Sequence, residues 1–213
     1  MPGLRFITAR DLFAAFPTAR CEIAAKATDQ DSCGFATALV ADGAWRDAVG
    51  FCAYLLPRRE AVFWACQCLR ALAKDRGIAG ESILRTAEVW CMEPGERARR
   101  AALEAGQSGE REWATTWAAL AAGWSGGTWR EGVDGPIACT PSQTAQGVRA
   151  AVLVALCQVP AADRKSEMTW LIGEAIRVAE GQVRVPYEVF SMCPGPPRAE
   201  TVAHARQRRT GAP

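Results

Sequence analysis

The side chains best equipped for chemistry are nine cysteines, one histidine and an adjacent arginine pair. A cysteine or serine nucleophile needs a base held within hydrogen-bond reach. The sole histidine, His204, lies in a tail containing Arg198, Arg206, Arg208, Arg209 and several prolines. It is a poor partner for any residue of a packed core. Zinc needs ligand sets such as paired Cys-x-x-Cys, and none occurs. Cys66 and Cys68 lie two apart on a helical segment, so their side chains diverge by about 200°. The expected state of the cysteines is reduced and buried, as small hydrophobes. No phosphate-binding loop and no Gly-x-Gly-x-x-Gly is present. Glu81, Glu88, Glu167 and Glu174 lack the repeated Glu-x-x-His of a di-iron bundle. The reading therefore assigns no catalytic residue, no metal ligand and no cofactor.

Two features point to contact rather than catalysis. Arg58 and Arg59 follow Pro57 at the start of a helix, where positive charge opposes the dipole by ~0.3–1 kcal/mol each. Glu60 offsets part of this. The pair serves either an ion pair with a neighbouring helix's carboxylate or a patch that recruits an acidic partner. The second feature is Trp124-Ser125-Gly126-Gly127-Thr128-Trp129. Its glycines suit a helix C-cap, and its two tryptophans suit an exposed aromatic anchor. Arg97, Arg99 and Arg100 lie among Glu93, Glu96 and Glu104, which predicts a solvated mixed face. Without interleaved aromatics, nucleic acid is disfavoured as a partner.

The elements that must position these residues read as helices. Thr8 with Asp11 forms a capping box, with Ile7 and Leu12 as a hydrophobic staple, and the helix stops before Pro17. A short helix follows from Thr18 to about Lys26, then a polar linker over 28–32. Further helices are expected over 35–40 and 45–56. A central helix opens at Pro57, is apolar almost all round, has a narrow wet edge of Gln67, Arg70 and Lys74, and ends at Gly77 and Gly80. Helices over 81–92 and 95–107 come next. Residues 110–124 carry a stripe of Trp113, Trp117, Leu120 and Trp124. A loop of about fifteen residues then runs to Cys139. Thr140-Pro141-Ser142-Gln143 is a capping box for a helix burying Val148, Val152 and Leu156. The last helix spans about 163–180, and Gly181 ends it.

This pattern predicts an all-α fold: a multi-helix bundle or stacked helical hairpins of about 8–9 helices with an irregular C-terminal tail. The expected divisions are an N-terminal helical extension (1–31), a core helical domain (32–181) and an extended segment with a disordered basic tail (182–213). Composition agrees with a globular domain: 213 residues, 49% apolar, 23% charged and a net charge of +2. That charge supplies no field toward nucleic acid or anionic membrane. The longest apolar run, Ala150 to Cys157, is far short of the ~20 residues that span a bilayer. The first residues lack the apolar stretch of a signal peptide. A cytoplasmic protein without a membrane partner is expected.

Several motifs also resemble a bacterial family known only as a domain of unknown function. The hallmark is Leu56-Pro57-Arg58-Arg59-Glu60-Ala61-Val62-Phe63-Trp64-Ala65-Cys66. Ala87-Glu88-Val89-Trp90, Arg99-Arg100-Ala101-Ala102, Ala122-Gly123-Trp124-Ser125-Gly126-Gly127 and Leu171-Ile172-Gly173-Glu174-Ala175-Ile176 follow in order. The resemblance covers about residues 35 to 181. Where the family often has a proline-rich loop, this chain keeps only Pro136 and Pro141. The resemblance implies members near type VI secretion genes and an accessory or adaptor role. It carries no established activity and transfers no catalytic residue.

The functional expectation is a non-enzymatic interaction protein whose partner is another protein. Arg58, Arg59, Trp124, Ser125, Gly126, Gly127 and Trp129 are its candidate contacts. The alternative is a small-molecule-binding or catalytic bundle with a buried polar pocket.

Overall fold

A computed structural model describes residues 4–72, 77–133 and 135–185. Among these, ten helices and one hairpin follow in order: α1 (Ala9–Ala15), α2 (Ala19–Glu22), α3 (Ser32–Ala41), α4 (Trp45–Leu55), α5 (Arg58–Leu72), α6 (Gly77–Met92), α7 (Glu96–Ser108), α8 (Ala114–Gly123), β1 (Thr128–Gly132), β2 (Gly135–Ala138), α9 (Gln143–Cys157) and α10 (Arg164–Ala179). The all-α expectation holds. Lys74, His204 and residues 186–213 of the expected tail lie outside the described residues.

Two helices occupy the centre for different reasons. α5 buries every residue from Ala61 to Leu69, large side chains included. The Trp64 indole N–H donates to the Leu171 carbonyl at 2.9 Å, tying α5 to α10. α8 is buried because it is small: Ala118, Ala119, Ala121 and Ala122 are fully enclosed. A Cβ on Gly123 would lie 2.7 Å from the Leu103 backbone, and one on Gly106 would lie 2.8 Å from the Leu120 amide. α7 and α8 therefore approach with backbone nearly in contact.

Several local expectations are corrected. Ile7 is 71% exposed, so the Thr8–Asp11 box forms without a staple. α2 stops at Glu22, one turn long. Gly77 and Gly80 do not end α5; they form the first turn of α6. Trp113 is the N-cap of α8 and 38% exposed, so the tryptophan stripe does not begin there. The long loop contains an antiparallel hairpin pairing Thr128 with Ala138 and Gly132 with Gly135. Only half the Thr140 box forms: the Thr140 amide donates to the Gln143 side chain at 2.5 Å, and α9 starts later.

The N-terminal segment folds back onto the bundle. The Ser32 amide donates to the Ile7 carbonyl, and the Ser32 hydroxyl to the Phe6 carbonyl. Phe13 packs on Phe35 and Phe51, and Phe16 on Tyr54. α1 and α2 thus share one hydrophobic core with the helices that follow. This brings Arg5 to the start of α5, where its guanidinium donates to the Leu56 carbonyl at 3.3 Å.

Candidate interaction site

Arg58 and Arg59 escape the cost of sitting at a helix N-terminus by reaching the negative ends of other helices. Arg59 donates to the Cys91 carbonyl at 2.6 Å and to Met92 at 3.5 Å, at the end of α6. Arg58 donates to the Ser125 carbonyl at 2.8 Å, just past the end of α8. Backbone carbonyls, which the ion-pair expectation did not foresee, are thus acceptors for both. The same bond joins the two sequence features: the arginine pair and the Trp124–Trp129 turn form one surface.

The turn is organised from below by Arg99. Contrary to the solvated-face reading, Arg99 is 5% exposed. It donates to the Gly123 carbonyl at 2.6 Å and to Thr128 at 3.4 Å, and takes both Glu96 carboxylate oxygens. Arg99 and Arg100 beside it pull the Glu96 carboxyl down to about 2. Gly127 has φ +62, and a Cβ there would meet the Arg99 guanidinium at 3.0 Å. Gly126 faces open space. Trp124 is half-buried, edge-on to Trp117, with its indole N–H enclosed. Trp129 is half-buried under the Arg130 guanidinium, and its carbonyl accepts from Gln107. The larger exposed apolar side chains among the described residues are Ile7, Val89, Trp113 and Val133.

Beside Arg58 opens a groove of about 620 Å³ between Arg5, Phe6, Phe16, Pro57, Arg58 and Pro141. Arg5 stands over the rings of Phe6 and Phe16. Partial burial lowers its pKa, and the Arg58 charge lowers it further. Among the described residues, no carboxylate forms an ion pair with Arg5 or Arg58. Sequence reading missed Arg5, which only the folded-back N-terminal segment delivers here.

Four of the thiols in the described residues are buried as expected, Cys52, Cys66, Cys68 and Cys91, whereas Cys21 and Cys157 are exposed. All eight cysteines in the described residues are free. Cys66 and Cys68 do point apart: one neighbours Cys91, the other Cys52; the hydrogen bond with Cys91 and then burial raise the Cys66 pKa, and burial raises that of Cys68. Cys139 lies near Arg99 and Arg58, yet burial outweighs them and keeps its thiol above the ordinary range. Among the described residues, no group of three or more His, Cys, Asp or Glu is arranged to hold a metal ion. None of their helices is long and apolar enough to cross a membrane.

The sequence profile of a family of unknown function, DUF6931, matches residues 35–179. The chain belongs to this family. No curated protein and no solved structure matches it. The DUF6931 match contains Arg58, Arg59 and the whole Trp124–Trp129 turn, whereas Arg5 lies before it. The groove thus combines a DUF6931 element with residues before the matched span, Arg5, Phe6 and Phe16 among them.

Proposed function

We propose that this protein is a non-enzymatic helical adaptor of the bacterial cytoplasm that binds an acidic segment of another protein. The contact face comprises Arg58, Arg59 and the turn Trp124, Ser125, Gly126, Gly127 and Trp129. One observation carries the reading: Arg5 and Arg58 line an open groove without an intramolecular carboxylate partner among the described residues. Two like charges held together by carbonyls and rings favour an external anion. The resemblance to a family with members near type VI secretion genes makes a secretion accessory the role to examine first.

The experiment is affinity purification of the tagged chain from its host, with mass spectrometry, beside Arg58→Glu and Trp129→Ala variants of unchanged melting temperature. A stoichiometric protein held by the wild type and lost from Arg58→Glu is the expected result. Equal retention by Arg58→Glu refutes the reading.

A second reading, a ligand-binding bundle, draws on a cleft of about 360 Å³ lined by Arg5, Arg59, Glu60, Arg184, Leu55 and Val178. That volume suits a small molecule. A thermal-shift screen of anionic metabolites on the full chain tests it.

A further inference from the structure

Glu22, the last residue of α2, is where the N-terminal segment meets two core helices at once. One of its carboxylate oxygens accepts from the Tyr54 hydroxyl of α4 at 3.1 Å and from the Gln146 side chain of α9 at 2.7 Å. Its backbone carbonyl accepts from Arg149 of α9 at 3.5 Å. The other carboxylate oxygen is enclosed without a partner, and so is the Arg149 Nε. An enclosed acceptor left unmatched carries a desolvation cost that an apolar side chain of similar size avoids. Covering the core therefore does not by itself call for a carboxylate here. What the carboxylate adds is direction: its two bonds hold only for one placement of α2 against both α4 and α9.

That placement passes to the groove by direct contact. Burial first and the Glu22 charge second keep the Tyr54 pKa above its ordinary value, so the hydroxyl remains a donor. The Tyr54 ring packs on Phe16 with centroids 5.2 Å apart. Phe16 in turn carries the Arg5 guanidinium 5.1 Å from its ring centre. Arg5, Phe16, Tyr54 and Arg58 line one recess. The run from Glu22 to Arg5 is thus physically continuous. Two other bonds bear on Arg5: the Ser32 hydroxyl holds the Phe6 carbonyl, and the Leu56 carbonyl takes one guanidinium N–H. Neither involves Phe16.

We infer that Glu22 is a positioning residue for the contact face: bound to Tyr54 and Gln146, it holds Phe16, and through Phe16 it holds Arg5 at the groove beside Arg58. The role of Arg5 toward an acidic partner rests on the adaptor reading; its placement by Glu22 does not.

NMR of the full chain tests this. The rings of Phe6 and Phe16 are expected to displace the Arg5 side-chain N–H resonance in the wild type. Glu22→Ala and Tyr54→Phe each remove the bond, and both should return that resonance toward the position of a free arginine, with unchanged circular dichroism. Glu22→Gln, whose oxygen can still accept from Tyr54 and Gln146, should keep it in place. A resonance unmoved in both Glu22→Ala and Tyr54→Phe overturns the inference, even where both variants melt earlier. A hexaglutamate peptide with blocked ends then serves as the acidic probe in a double-mutant cycle. Glu22→Ala should weaken its binding about threefold, yet change nothing in an Arg5→Gln background. Equal losses in both backgrounds show that Glu22 acts on the fold rather than on Arg5, and overturn the inference. Hexaglutamate that fails to bind the wild type refutes the adaptor reading alone, because the Arg5 resonance still decides the positioning.

Discussion

At its C-terminal end α5 sets Arg70 between two carboxylates of α6; at its N-terminal end it sets Arg58 and Arg59 on backbone carbonyls. Arg70 grips both oxygens of Glu88 at 2.7 Å and one of Glu81 at 2.7 Å, and Glu88 is 5% exposed. That end is neutralised within the molecule. Carbonyls orient the Arg58 guanidinium without cancelling its charge, and among the described residues it forms no ion pair. The same residue type on one helix therefore locks one end and leaves the other able to attract. The difference lies in the acceptors that neighbouring helices bring, which the sequence of α5 does not contain.

The contrast is open to test, and the largest effect is expected at the neutralised end. Arg70→Met leaves Glu88 as a buried unpaired carboxylate and should cost about 3–5 kcal/mol by urea unfolding. Arg70→Met with Glu88→Met should recover much of it; if it does not, the end is held by packing rather than by charge. At the other end, Gly127→Ala forces a side chain into a left-handed conformation against Arg99 and should cost about 1–2 kcal/mol. A loss no greater than that of Gly126→Ala would show that Arg99 does not fix the turn. Arg58→Ala, exposed, should cost less than about 1 kcal/mol while releasing the cellular partner in affinity purification. A large destabilisation there would make the two ends alike. The smallest effect concerns acid. Because Glu96 is depressed from 4.5 to about 2, its contribution is present above pH 4.5 and fades as pH falls toward 2. Glu96→Gln should flatten stability across that window, measured by acid titration of circular dichroism.

Helices announced by prolines, glycines and caps were legible from the residues, with α4 and α10 close to their expected limits. The hairpin was not, because Thr128–Ala138 offers too short an alternation between glycines to outweigh a loop. Trp113 misled because a periodic stripe says nothing about where the backbone begins to coil. Arg99 misled because its burial depends on the α8 carbonyls, which come near only when Gly106 and Gly123 let the two helices close. Of the candidate site, the arginine pair was legible as charge placed against its own dipole. Arg5 was not, since it is unremarkable locally and meets Arg58 only because the N-terminal segment folds back onto the bundle.

The bond from Trp64 to Leu171 also bears on how the chain reaches this state. It spans 107 residues, and Gln146 reaches Glu22 across 124. Such pairings carry a loop-closure cost before they return any stability, which slows folding relative to a bundle of neighbouring hairpins. On the ribosome, α5 emerges with its indole N–H unanswered and must wait for α10. The middle of the chain is therefore synthesised early and completed late, an interval in which its apolar surface needs protection.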